Sequence, residues 1–425
     1  MTRILLAALA LIAMFLADLP PDLGGFSPVT AAWADDDDDD GGDDDDDDDD
    51  GPRRRRPVPV RRPQAVVPPP PFAPDEVIAR GLSEADLQAL QAAGFRELRR
   101  SPLSSGETLS RLRKPAAMPL VEARDMVRGL ESVATADLNH YYRPGNGEEC
   151  VGGVCPIRNM IDWPVNTAGC GTPPRIGMVD TGLNEGHDAL APARLRLYRL
   201  DRDQGDQPSD LLHGTSVAAL LVGAADSRTP GLVPQAELIA VDAFYKAGND
   251  ERADAYALVE ALDYLAAQDV AIINLSLAGP FNLALARQVK RLDEMGIVMV
   301  AAAGNGGPAA KPAYPAALPS VIAVTAVDRR GQIYRRANRG EHIDIAAPGV
   351  EVWTAASVRG ARTRTGTSYA APFVTAAIAL LLQENPQMTP FQIRERLRFS
   401  ARDLGQAGHD EVFGYGLLLP PNPCG

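Results

Sequence analysis

Residues 363–382 read TRTGTSYAAPFVTAAIALLL. From Tyr369 onward every position is apolar or small. No polar stripe is left to face water, so the segment predicts a helix buried on all sides. Gly366 permits a tight turn before it, and Pro372 is placed in the first turn, where a missing N–H is harmless. Ser368 then stands at a helix N-terminus, before free backbone N–H groups and the positive end of the helix dipole. A serine so placed suits a reaction that builds negative charge beside it. It also suits a plain helix cap, the commoner use of a lone Gly-Thr-Ser. The rest of the chain has to decide.

Upstream, strand-like runs at 175–179, 237–241, 270–276, 297–303, 321–326 and 343–346 alternate with helical patterns at 216–223, 253–267 and 283–294. Such alternation predicts an α/β fold, a mostly parallel sheet with helices on both faces. Sites in these sheets gather where strands end and helices begin. Asp180 closes the first run in Val179-Asp180-Thr181-Gly182. His213 opens a stretch of small residues, His213-Gly214-Thr215-Ser216-Val217-Ala218-Ala219, and Asn305 lies in the Gly-rich turn Ala303-Gly304-Asn305-Gly306-Gly307. Taken singly, these are a turn former, a structural histidine and a turn asparagine. All four residues, however, fall at strand ends or helix starts among small neighbours that permit close approach.

The ordered blocks around Asp180, His213 and Ser368 resemble the subtilisin-like serine peptidases (subtilases, the peptidase S8 family). So do the runs Asn274-Leu275-Ser276-Leu277-Ala278-Gly279-Pro280, Tyr314-Pro315-Ala316, Ala347-Pro348-Gly349 and Phe413-Gly414-Tyr415-Gly416. The resemblance covers 175–418. Ala219 and Tyr369 depart from it, away from the reactive atoms. The resemblance implies that Ser368 attacks the scissile carbonyl, His213 takes its proton and Asp180 orients the imidazole. The Asn305 amide and the Ser368 N–H would hold the oxyanion. It implies that a polypeptide substrate pairs as an added strand along Ser276, Leu277, Ala278 and Gly279, with Ala303 and Gly304 walling the first specificity pocket. The pocket walls carry no charge, which favours apolar or small side chains there. His187, seven residues after Asp180, matches a non-catalytic histidine. No cofactor is required, and structural calcium is left open with no ligands assignable.

The chain has 425 residues, 45% of them hydrophobic, and a formal charge of −14. Fourteen aspartates at 35–40 and 43–50 account for all of it, since the remaining 42 acidic residues match 42 Lys and Arg. The folded part shows no basic patch of the kind nucleic acid needs. Residues 1–34 read as an export signal: Arg3, a short apolar run and the cleavage pattern Ala32-Trp33-Ala34. The run falls short of the ~18 apolar residues of a membrane span. Export, to a periplasm or outside, puts Cys150, Cys155, Cys170 and Cys424 in an oxidising compartment, where three disulfide pairings are open.

Residues 35–74 read as a disordered acidic segment and a Pro/Arg-rich linker. Residues 75–143 read as a small α+β unit: a capped helix from Ser83, strands at 95–100 and 107–113, and a helix within 118–133. By its position before the peptidase domain, 144–425, this unit is expected to be a propeptide and intramolecular inhibitor, cut off between 142 and 161. Three functions are therefore carried forward: an exported, self-processing serine endopeptidase; a silent subtilase fold that only binds; and a calcium or mineral binder acting through the aspartate run.

Overall fold

The computed structural model describes residues 70–144, 158–164, 171–203 and 205–422. The export signal, the aspartate run and all four cysteines lie outside the described residues. The first elements are β1 (Phe72–Arg80), α1 (Glu84–Ala92), β2 (Arg96–Pro102), β3 (Thr108–Arg113), α2 (Leu120–Arg128) and β4 (Thr135–Pro144). Ser83 caps α1 by accepting the Asp86 N–H, as its sequence suggests. The four strands pair antiparallel in the order β2-β3-β1-β4. Strand β1 begins at Phe72, inside the segment read as linker, because its pairing with β4 extends to Phe72 opposite His140.

Side chains alternate between the two faces of a strand. On β1, Val77 and Ala79 join Leu87, Leu90, Leu112 and Val127 in a core beneath α1 and α2. Ile78, between them, points the other way. It enters a second core shared with the large domain, together with Leu109 and Tyr142. The small unit thus buries its second sheet face against the larger C-terminal domain.

That domain opens with β5 (Ile176–Asp180), β6 (Leu195–Arg199), β7 (Gln207–Pro208), α3 (Leu212–Val222), β8 (Leu238–Asp242), β9 (Tyr245–Ala247), β10 (Asp250–Asp254) and α4 (Ala255–Ala266). Then come β11 (Ile272–Leu275), β12 (Leu277–Ala278), α5 (Leu283–Glu294), β13 (Val298–Ala302), β14 (Val321–Val327) and β15 (Ile345–Pro348). The chain closes with β16 (Val352–Ala355), β17 (Ala361–Arg364), α6 (Thr367–Glu384) and α7 (Pro390–Ser400). Seven strands form a parallel sheet in the order β15-β14-β13-β11-β5-β8-β6. Alternate residues feed its two faces. Met178, Ala240, Val300 and Val324 pack with α3 and α6, while Val179, Ile239, Met299 and Ala323 pack with α4 and α5. The doubly covered parallel sheet read from the alternation is present.

Helix α6 is buried from Thr367 through Gln383, as a run without a polar stripe requires. One detail differs. The helix begins at Thr367, so Pro372 lies in its second turn, not its first. A proline there removes the N–H that would bond the carbonyl four residues back, that of Ser368. The Ser276 hydroxyl donates to that carbonyl instead, at 2.8 Å. Helix α3 also starts four residues before the pattern at 216–223, which brings His213 into its first turn.

Candidate active site

Asp180 is the last residue of β5, at the carboxyl end of the sheet, and is 1% exposed. Its Oδ1 accepts the Thr181 N–H at 2.8 Å and lies 2.7 Å from His213 Nδ1. The carboxylate therefore holds the proton on Nδ1 and leaves the Nε2 lone pair free. Neither His213 Nε2 nor Asp180 Oδ2 has a hydrogen-bond partner, though both are buried. The histidine reaches this position because α3 lies hard against the loop after β5. Gly214 N–H donates to Thr181 Oγ1 at 2.9 Å. A Cβ on Gly214 would stand 2.4 Å from the Thr181 carbonyl oxygen, so only glycine permits the approach.

Ser368 is the second residue of α6 and is fully buried. Its hydroxyl donates to the Ser276 carbonyl at 3.2 Å, while the Ser276 hydroxyl donates back to the Ser368 carbonyl. The two backbones are thereby tied together across 92 residues. The His213 ring packs at 5.5 Å from that of Tyr369, the next residue after the serine, so this departure from the family pattern lies against the imidazole and not away from it as expected. Asp180 and His213 are thus directly bonded, while the Ser368 hydroxyl is turned to Ser276.

Asn305 follows β13 in the Gly-rich turn. Its Oδ1 accepts from Thr367 N–H at 3.0 Å and from Thr367 Oγ1 at 2.9 Å. That fixes the orientation of the amide: Nδ2 points away from Thr367, buried and without a partner. Gly304 N–H donates to the same Thr367 hydroxyl, and the Asn338 side chain accepts from Gly306 N–H at 2.8 Å. Thr367 and Asn338 are supports that reading the sequence for reactive groups missed, and Ser276, expected only along the substrate strand, also holds the Ser368 carbonyl. Thr367 had a signal, since it sits immediately before the serine. Asn338 had none, because its role depends on a turn 32 residues away.

Buried polar atoms are nearly always paired. Here an imidazole acceptor and an amide donor go without partners within one locality. This is what a site looks like when its partners arrive with a substrate. His187 is elsewhere occupied, with Nε2 2.9 Å from the Gly360 carbonyl oxygen. Among the described residues no group of three or more His, Cys, Asp or Glu is placed to hold a metal ion.

The segment 276–279 is lined by the chain itself. Leu277 and Ala278 (β12) pair antiparallel with Pro144 and Arg143 at the end of β4. On its other side β4 pairs with β10, Tyr142 opposite Ala253 and Tyr141 opposite Asp254. Gly279 exchanges backbone hydrogen bonds with Tyr314, both at 2.9 Å. Tyr142 is fully buried, and a Cβ on Gly279 would come within 2.5 Å of its ring. Ala303 and Gly304 lie at the end of β13, Ala303 fully buried.

Sequence comparison matches residues 171–416 to the Subtilase family, Peptidase_S8. The minor extracellular protease Epr of Bacillus subtilis is 32% identical over 62% of this chain, which spans 40% of that relative. Subtilisin DY of Bacillus licheniformis is 32% identical over 57% of this chain and 88% of its own length. Fervidolysin from Fervidobacterium pennivorans, a keratinolytic enzyme related to subtilisin, shares the fold: TM-score 0.69 at 21% identity, over 83% of this chain and 61% of that one. With more than half of its length matched and the parallel sheet in place, the chain belongs to the Subtilase family and carries a subtilisin-like serine peptidase domain, which needs no cofactor for its chemistry.

Proposed function

We propose that the protein is an exported serine endopeptidase, made as a self-processing zymogen. Ser368 Oγ gives its proton to His213 Nε2 as it attacks the scissile carbonyl, and His213 later returns that proton to the leaving amine. Asp180, bonded at Nδ1, keeps the other nitrogen available and stabilises the imidazolium. The Asn305 Nδ2 and the Ser368 N–H at the head of α6 receive the oxyanion. Before attack the Ser368 hydroxyl leaves the Ser276 carbonyl for Nε2. The observation that carries this reading is the buried, unpartnered Nε2 opposite a carboxylate-bound Nδ1. Labelling by a fluorophosphonate probe tests it: wild type should label and Ser368→Ala should not. Failure of the wild-type protein to label would favour a silent fold that only binds.

Residues 75–143 act as the propeptide in this scheme. Its support is β4, which runs along Leu277–Ala278 where a substrate strand is expected and blocks that edge. Cleavage then falls shortly after Pro144. Ser368→Ala should leave the precursor at full length, and normal trimming of that variant would mean another protease does it. Export is supported by the apolar start of the chain and by a relative named as extracellular. No helix among the described residues is long and apolar enough to cross a membrane.

A further inference from the structure

Among the described residues strand β4 runs along Leu277–Ala278, and its side chains report what the cleft walls are shaped to hold. Tyr142 enters the apolar core at Gly279. Tyr141, its neighbour, alternates to the other face of the strand and is only 6% exposed. It is covered by the β9–β10 hairpin. The Arg252 guanidinium lies 3.8 Å from the centre of the Tyr141 ring and 5.6 Å from that of Tyr245. Asp250 accepts a hydrogen bond from Arg252 Nη1 at 2.9 Å and steadies the guanidinium over the ring. The cation therefore lies between two aromatic rings, nearer that of Tyr141. None of these groups takes part in the proposed chemistry. Arg252, Tyr245 and Asp250 all belong to the peptidase domain, so the site remains when the N-terminal unit departs.

We propose that Arg252 and Tyr245 form a recognition site for an aromatic side chain on an extended peptide substrate, one residue before the side chain seated at Gly279. The inference rests on the endopeptidase reading and adds a determinant of substrate choice far from the reacting bond. A guanidinium over a desolvated ring favours any aromatic over an aliphatic residue.

The test uses the purified protein and quenched-fluorescence peptides with the sequence of residues 139–149, carrying Tyr, Phe or Ala at the position of Tyr141. Casein serves as a general substrate. The expected result is that Tyr141→Ala in the peptide lowers kcat/KM about tenfold, mostly through KM. Tyr141→Phe should leave it within about twofold. Arg252→Met in the protein should bring the Tyr and Ala peptides within about twofold of each other while casein hydrolysis continues. Arg252→Lys, a milder change should Arg252→Met not fold, keeps the charge without the planar guanidinium and should narrow the Tyr-to-Ala ratio. Equal cleavage of the Tyr and Ala peptides by a wild-type protein that digests casein would overturn the recognition site. Failure to digest casein at all would overturn the endopeptidase reading beneath it.

Discussion

Asn139 offers the sharpest test of how the N-terminal unit is held. It is fully buried on β4, and its side chain bonds two carboxylates and a backbone N–H. Nδ2 donates to Glu76 Oε2 at 2.9 Å and to Asp254 Oδ2 at 2.8 Å, and Oδ1 accepts the Tyr256 N–H at 3.1 Å. Asn139→Ala removes two hydrogen bonds to carboxylates, ~1.5–3 kcal/mol each, and orphans a backbone N–H in the first turn of α4, ~1–3 kcal/mol. Arg111 stays 3.6 Å from Glu76 and 3.7 Å from Asp254. That cation, and water admitted to the gap, offset part of the loss. A net ~3 kcal/mol remains, a factor of ~150 in the opening equilibrium. The assay is native-state hydrogen exchange in a Ser368→Ala background, so that cleavage cannot intervene. The backbone amides where β4 pairs with β10 and β12 report its docking. Exchange should accelerate about a hundredfold. A change below about fivefold would mean that the polar junction contributes little beyond the apolar contacts around it.

Further predictions address the site and its setting. Asn305→Ala should lower kcat by ~10²–10³ with KM little changed, the loss known for this donor in subtilisin itself and adopted here as the scale; steady-state kinetics on a peptide substrate checks it. Ser276→Ala removes the donor to the Ser368 carbonyl that Pro372 cannot serve, and should cost about 1–3 kcal/mol of stability, read as a lower unfolding midpoint. Docking of the N-terminal unit should depend on pH. Burial pushes the Glu76 and Glu260 carboxyls above their ordinary value of 4.5, against the pull of Arg111 and Arg99. Groups raised in the docked state contribute stability that is complete below the ordinary value and lost as pH climbs through the raised one. Protection of β4, corrected for intrinsic exchange, should therefore decline from acidic toward neutral pH, and Glu76→Gln should flatten the trend.

Much of this was legible because buried structure leaves few choices of residue. The strands of the parallel sheet are apolar runs too short for helices, and α6 has no polar stripe at all. The pairs that build the site were legible only as types, since Asp180 and His213 are 33 positions apart and nothing local says that they touch. Strand β6 was missed because it is a half-exposed edge, Leu195–Arg199, where arginines interrupt the apolar signal. The β9–β10 hairpin was missed for a related reason: Asp250-Glu251-Arg252 reads as a solvated turn. Its partner strand comes from more than a hundred residues upstream. Helix α7 was overlooked although Thr389 and Gln392 form a capping box before it, a signal that needed no tertiary information.

Strand β4 belongs at once to the small sheet and to the cleft, and this sets the molecularity of any activation. While the chain is continuous, the blocking segment is always at hand, at an effective concentration that no dilution can change. Cut beyond Pro144, the same segment becomes a separate molecule that must find the cleft by diffusion. Activity should then emerge faster in dilute solution than in concentrated solution, a dependence opposite to that of cleavage between molecules.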